Sequence, residues 1–476
     1  MKQAWGEYLP DLAPHGVEGL VTCDGVYPTG NGYAPFRSFE AAPEGDLGST
    51  CLGATSYRAL GEVWTFAADA TDIHLYDTTG YTSINTGMTS SAASGVRFAA
   101  YANYMLVTNG FDAIQLFDPS SPAATADLDA SAPTAKYIGV VKGFVIAAYA
   151  DDVAQRIQWS GNGDPAEWTS GTLESGVYDL NNGGGDITGF VGGDYGLIVQ
   201  ETKIIRMDYS ADDAVWQYTE IATDIGCIAP WSLASYGKLL FFLSNKGLMA
   251  CDGTTVQAIG DEKVSRTFLA LTDLAYIDNM SAVVDPKSSL YVVSIPSASP
   301  PSSVLVYHYG LQKFTTAPIT ATRLFSALGQ DISLDALDAI YGNLDAVQIS
   351  LDSPALRGGY PLLMLFDGSN TLGSLAGEMM EASFLDVRRE LIPGRRARVT
   401  SIRPIDDAAA GSVSVGAASS LADLPAPTIF STRTSGGFYR TRVSGSFIQV
   451  GRQIPAGTAW TFAQGFDVEA MEGARA

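Results

Sequence analysis

The 476-residue sequence predicts an all-β protein: a β-propeller of about seven blades, preceded by an N-terminal extended segment and followed by a C-terminal β-rich module. Three observations predict it. A strand–turn–strand unit recurs at the spacing of four-stranded blades, the apolar runs are too short for helices, and 50 Gly and 22 Pro supply the turns.

The repeat is an apolar run, a short polar turn, and a second apolar run closed by Asp or another turn residue. The second runs lie at 73–77, 114–118, 157–160, 204–208 and 248–252, with looser copies at 304–309 and 362–367. Their ends advance by about 41, 42, 48 and 44 residues and then by about 57 and 58, near the period of propeller blades. The last two units therefore carry insertions, one around Pro296, Pro300 and Pro301 and one at 342–359.

The partner runs at 63–66, 104–108, 144–149, 195–200, 239–243 and 290–295 are rich in β-branched and aromatic residues, as strands are. Blade sheets bury both faces against neighbouring blades, which accounts for continuous apolar runs in place of clean alternation. A sandwich or stacked barrels also give hairpins at semi-regular spacing, but the repeat count favours the propeller. Helix-compatible stretches are few, 331–339 and 372–380, the second weakened by Gly373 and Gly377.

This reading divides the chain into an extended segment at 1–52, a repeat body at 53–386 and an arginine-rich β module at 387–476, whose strands fall at 395–405, 411–415, 437–450 and 458–468. From residue 387 onward there are 11 Arg, no Lys and 7 acidic residues, a balance of +4. The rest must then carry −27 to reach the formal −23 of the whole chain. Such an acidic protein repels nucleic-acid phosphates and does not grip DNA. The basic module is suited to meeting an acidic surface in the same or a neighbouring subunit.

Enzymatic chemistry finds little material. The histidines are His15, His74 and His308, with no H-E-x-x-H or paired spacing. No nucleophile elbow with a helix behind it and no Walker-type phosphate loop occurs. The loops at 162–165 and 181–186 offer oxygen ligands for calcium but lack EF-hand spacing, and turn chemistry explains them better. Cys23, Cys51, Cys227 and Cys251 are far apart and read as four reduced thiols, so no cofactor or metal is expected. The first residues lack the apolar core of an export signal, and no apolar run is long enough for a membrane anchor. Among enzymes, a propeller glycosidase is the strongest alternative, because 51 acidic residues could supply its carboxylate pair. A carbohydrate-binding propeller using its Trp and Tyr residues as stacking platforms is the alternative of another class.

Two terminal stretches carry a resemblance. Trp5-Gly6-Glu7-Tyr8-Leu9-Pro10-Asp11-Leu12, with the later Gly32-Tyr33-Ala34-Pro35-Phe36, resembles the opening of tail-hub or nozzle proteins of short-tailed bacteriophages. The stretches 440–447, 454–460 and 464–468 are similar to the closing segment of the same proteins, and together the matches cover about a fifth of the chain. The resemblance implies a non-enzymatic virion protein made in the host cytoplasm. It implies a hexameric ring below the portal and adaptor proteins, bearing tail fibres or spikes, whose channel retains packaged DNA and conducts it at ejection. On this reading the subunit-interface candidates are Arg388, Arg389, Arg395, Arg396 and Arg398, with Trp460 and Phe462 as aromatic anchors.

Overall fold

The computed structural model describes residues 1–211, 214–329 and 361–473. Their strands form seven radially arranged antiparallel sheets of four strands, and a two-layered sandwich joined to the sixth of them. Blades one to six occupy 53–86, 97–127, 135–179, 187–223, 234–258 and 282–317. Blade seven takes Arg323–Leu328, Pro361–Phe366 and Thr371–Ser374, and borrows its outermost strand, Glu40–Asp46, from before blade one. That borrowed strand, supplied by the chain just before blade one, ties the last blade to the first and closes the ring. Across the closure, the innermost strands of blades seven and one lie side by side, and the Leu328 amide donates to the Ser56 hydroxyl at 2.5 Å.

The six partner runs are the second strands of blades one to six, and the repeated runs in those blades are the third strands. Their recurring terminal Asp has a physical role. Asp77 accepts from the Thr79 amide and hydroxyl (2.7 and 2.6 Å), Asp118 from those of Ser120 (2.9 and 2.6 Å) and Asp252 from those of Thr254 (2.8 and 2.7 Å). Each is an Asx turn that starts the hairpin to the fourth strand. The same chemistry misleads at the seventh repeat. Asp367 accepts from the Ser369 and Thr371 amides at 2.8 and 2.9 Å, but it follows the second strand of blade seven. The copy at 362–367 is thus out of phase by one strand.

Burial explains the uninterrupted apolar runs. Phe144, Val145, Ile146, Ala147 and Ala148 are all fully buried, with alternate side chains packed toward opposite neighbouring blades. Each large apolar side chain so enclosed contributes about 1.5–3 kcal/mol. Hairpins between first and second strands are tight. At Leu60-Gly61 both residues have positive φ (52° and 89°), the twist that a two-residue hairpin needs.

The stretch 372–380 is not helical. Gly373 pairs with Ala41 in blade seven, and a Cβ there would come within 2.3 Å of the Glu40 carbonyl, so a bare backbone is needed for this pairing. The other helix-compatible stretch, 331–339, lies outside the described residues. A short helix does occur at Ser265–Leu271, where the N-terminal Asp11 carboxylate accepts from the Arg266 and Thr267 amides, both at 2.7 Å.

The first 52 residues do not form a body of their own. Lys2–Ala4 and Gly32–Pro35 pair with Ala463–Glu472, and Gly19–Asp24 pairs with Ala382–Asp386. Gly19–Asp24 also meets the outer strand of blade six, Lys313–Ala317, so the blade continues into one layer of the sandwich. That layer runs on through Ala382–Asp386, Phe447–Ile454, Ser412–Ala418 and Ala426–Phe430. The facing layer holds Tyr439–Gly445, Ala397–Asp406, Ala463–Glu472, Gly32–Pro35 and Val26–Thr29. Trp5, Tyr33, Phe384, Trp460 and Phe466 fill the space between, with Trp5 stacked on Phe384 at 5.2 Å. The arginine-rich module is therefore built by both ends of the chain, and Ala382–Asp386 belongs to it.

Candidate functional site

The histidines, the cysteines and the two glycine-rich loops have the following surroundings. His74 Nε2 lies 3.4 Å from the Asp69 carboxylate, which also accepts from the Thr71 and Asp72 amides in a turn. His308 Nδ1 accepts from the Leu311 amide in a hairpin, and burial lowers its pKa. His15 bridges by its backbone to Arg388. All four cysteines are buried and unpaired with one another, and burial raises each thiol pKa. In the loop 181–186, Asn182 accepts from the Gly184 amide and donates to Gln200, as a turn residue does. Asp164 likewise accepts from the Ala166 amide. Among the described residues no group of three His, Cys, Asp or Glu side chains is placed to hold a metal ion.

The arginine-rich module presents two kinds of arginine. Some are internal fasteners. Arg389 grips the Asp386 carboxylate through two bonds of 2.7 and 3.0 Å, and Arg388 donates to the carbonyls of Leu421 and Asp423. Arg396 is half-buried, and its carbonyl accepts from the Gly473 amide. Others face solvent. Arg395 pairs with Glu472 at 2.6 Å, both side chains more than half exposed. Arg398 and Arg403 alternate with buried Val399 and Ile402, and Arg440 and Arg442 with buried Tyr439 and Thr441 on the adjacent strand. Among the described residues no carboxylate lies within 4.0 Å of Arg398, Arg403, Arg440 or Arg442.

The two aromatic anchors separate. Phe462 is 36% exposed and stays available to a partner. Trp460 is 2% exposed, packed in the sandwich core beside Met379, so its role is cohesion and not contact with another subunit. Nearby, Ala426–Phe430 is an edge strand, paired on one side alone among the described residues, and around it Leu424 is 85% and Ile429 66% exposed. Unpaired backbone beside exposed apolar side chains is a template for strand addition.

A second constellation sits at the propeller axis. Arg97 and Arg323 occupy the first turnward positions of the innermost strands of blades two and seven. Trp231, from the 3-10 turn Pro230–Ser232 leading into blade five, reaches across to both. The guanidinium carbons lie 3.4 and 3.8 Å from its ring centre. Distances that short place each cation directly over the ring. Gly95 makes room for the indole: a Cβ there would sit 1.8 Å from Trp231 Cζ2. Burial pulls both guanidinium pKa values down to about 10, and no carboxylate is among the charges acting on either. Residue spacing does not single out these positions. The one available sign was an arginine opening the first strand in two separate repeats.

Comparison with known proteins adds no family. No family model matches the chain, and no curated protein matches it. Solved structures with a similar outline include BBS1N in complex with ARL6DN (12% identity, TM-score 0.40, 71% of this chain and 97% of that one). The Neurospora crassa Pan2 WD40 domain is similar at 6% identity and TM-score 0.35, over 61% of this chain and 82% of that one. The N-terminal domain of Nup159 is similar at 8% identity and TM-score 0.37, over 74% and 98%.

Proposed function

We propose that this chain is a non-enzymatic structural subunit of a tail hub or nozzle of short-tailed bacteriophages, assembling into a ring, hexameric in the family it resembles. The observation that carries the reading is the surface of the sandwich: exposed arginines with no carboxylate beside them among the described residues, next to an apolar edge strand, in a chain whose remainder is strongly acidic. Opposite charge on two parts of one chain favours head-to-tail contact, which closes into a ring when the rotation permits. Trp231 crosses the propeller's own axis, and the cavity there is about 300 Å³, so packaged DNA would pass between subunits and not through a propeller. Portal or adaptor proteins on one face and fibres or spikes on the other are the partners this role requires.

The test is the mass and shape of the purified full chain in solution. Light scattering and electron microscopy should find a closed ring with a central pore. A protein that stays monomeric at tens of micromolar, at low and high salt alike, would remove the reading.

A further inference from the structure

We propose that the axial cavity of the propeller is a binding site for a small, doubly charged oxyanion of the phosphate kind, held by the outward N–H edges of Arg97 and Arg323 beyond the indole. The argument begins with what the indole cannot do. Trp231 covers the flat faces of the guanidiniums, whereas their N–H bonds point outward in the guanidinium planes. Arg323 is 4% exposed, and its Nε and Nη1 are buried with no acceptor. Arg97 Nε is likewise buried and unpartnered, and its Nη2 makes only a long 3.4 Å contact to the Pro230 carbonyl. Buried donors are nearly always satisfied, and charged ones most of all.

Water could meet the hydrogen bonds but not the charge. Two cations face one cavity and Lys136 adds a third positive field at Arg97; Asp278 and Asp186 act on Lys136, but among the described residues no carboxylate is among the charges acting on either arginine or in the cavity wall. In a chain with 51 acidic residues, no Asp or Glu is among the residues lining this cavity. The cavity of about 300 Å³ includes both arginines in its wall and reaches exposed Ser235 and Ser326, which gives an ion a way in from solvent. Its walls are otherwise innermost strands, rigid elements that hold the two guanidiniums in place before any ligand arrives.

The experiment uses the full-length chain and inorganic phosphate as the probe, with ionic strength held constant by chloride. Calorimetry should show saturable binding of one phosphate per chain, with a matching rise in melting temperature. Acetate at the same concentrations should give at least about tenfold weaker binding, since it offers one charge. Arg323→Met and Arg97→Met keep an apolar stem over the indole and should each lower phosphate affinity by at least about tenfold. Should either variant not fold, Trp231→Phe serves instead: it should abolish the phosphate-induced change in tryptophan fluorescence while phosphate still binds. No saturable binding to the wild type overturns the proposal. So does equal binding to wild type and a folded methionine variant, or acetate binding as tightly as phosphate. Ring assembly plays no part in these measurements.

Discussion

Arg452 and Asp406 join the two layers of the sandwich through a buried, two-pronged ion pair, Nε to Oδ2 at 2.8 Å and Nη2 to Oδ1 at 3.2 Å, with side chains 1% and 2% exposed. Arg452 also donates to the Tyr439 hydroxyl at 3.2 Å and to the Ala410 carbonyl. The remaining donors are thus satisfied, the condition under which a buried pair is tolerated.

Removing one partner should therefore cost far more than removing both. Arg452→Met or Asp406→Leu alone should destabilise the protein by about 3–5 kcal/mol, because an uncompensated charge stays buried. The double substitution should recover most of that loss. Urea unfolding of the three variants decides it; additive losses would mean the pair is not a unit.

The pair Asp386–Arg389 gives a pH-dependent case. Burial raises the Asp386 pKa above its ordinary 3.8, and hydrogen bonds from Arg389 pull it partly back. A carboxyl whose folded pKa is raised binds its proton more tightly when folded, so ionising it opposes folding above that pKa. The opposition fades as pH falls through it. Arg389→Gln should drive the pKa higher and cost on the order of 3 kcal/mol at neutral pH. The deficit relative to wild type should shrink as the solution is acidified, and a deficit that grows toward acid would refute the assignment. Chemical denaturation across that range is the measurement.

Much of the propeller was legible because its physics is local. A run such as 239–243 has to be a strand on length and residue type, and the Asx turn after it is a short-range hydrogen bond. The sandwich was legible only in part. Lys2 pairs with Asp467, and no periodicity announces a partner at that distance. Trp460 looked like an anchor because an aromatic in a basic module suits an interface, but burial depends on the facing layer, which includes strands from the N-terminus. Arg97, Trp231 and Arg323 meet only because the ring closes.

The edge strand Ala426–Phe430 should act in assembly and not in folding. Ile429 is 66% exposed, so Ile429→Lys should change monomer stability by no more than about 0.5 kcal/mol. A charge on an edge blocks strand addition, so ring formation by light scattering should fall by at least about tenfold. A ring that forms normally would place the subunit contact elsewhere.

The exposed arginines make the last prediction, and the structure sorts which of them to change. Arg395 already has Glu472, an exposed pair worth about 0–1 kcal/mol, so its reversal alters a local contact as well as any interface. Among the described residues Arg398 and Arg440 have no such partner, and both point outward from neighbouring strands of one layer. Reversing both, as Arg398→Glu with Arg440→Glu, should leave the melting temperature of the monomer close to wild type, because no buried group loses a partner. Charges at an interface rim mainly speed encounter and fix register, while apolar anchors such as Phe462 and Ile429 supply more of the affinity. The double reversal should therefore slow assembly most at low salt, and the gap to wild type should narrow as salt screens both proteins. Light scattering time courses at two ionic strengths, beside thermal melts, measure this. Assembly at the wild-type rate in low salt would show that the arginine face meets no acidic surface, and a monomer that melts early would show that these side chains serve the fold.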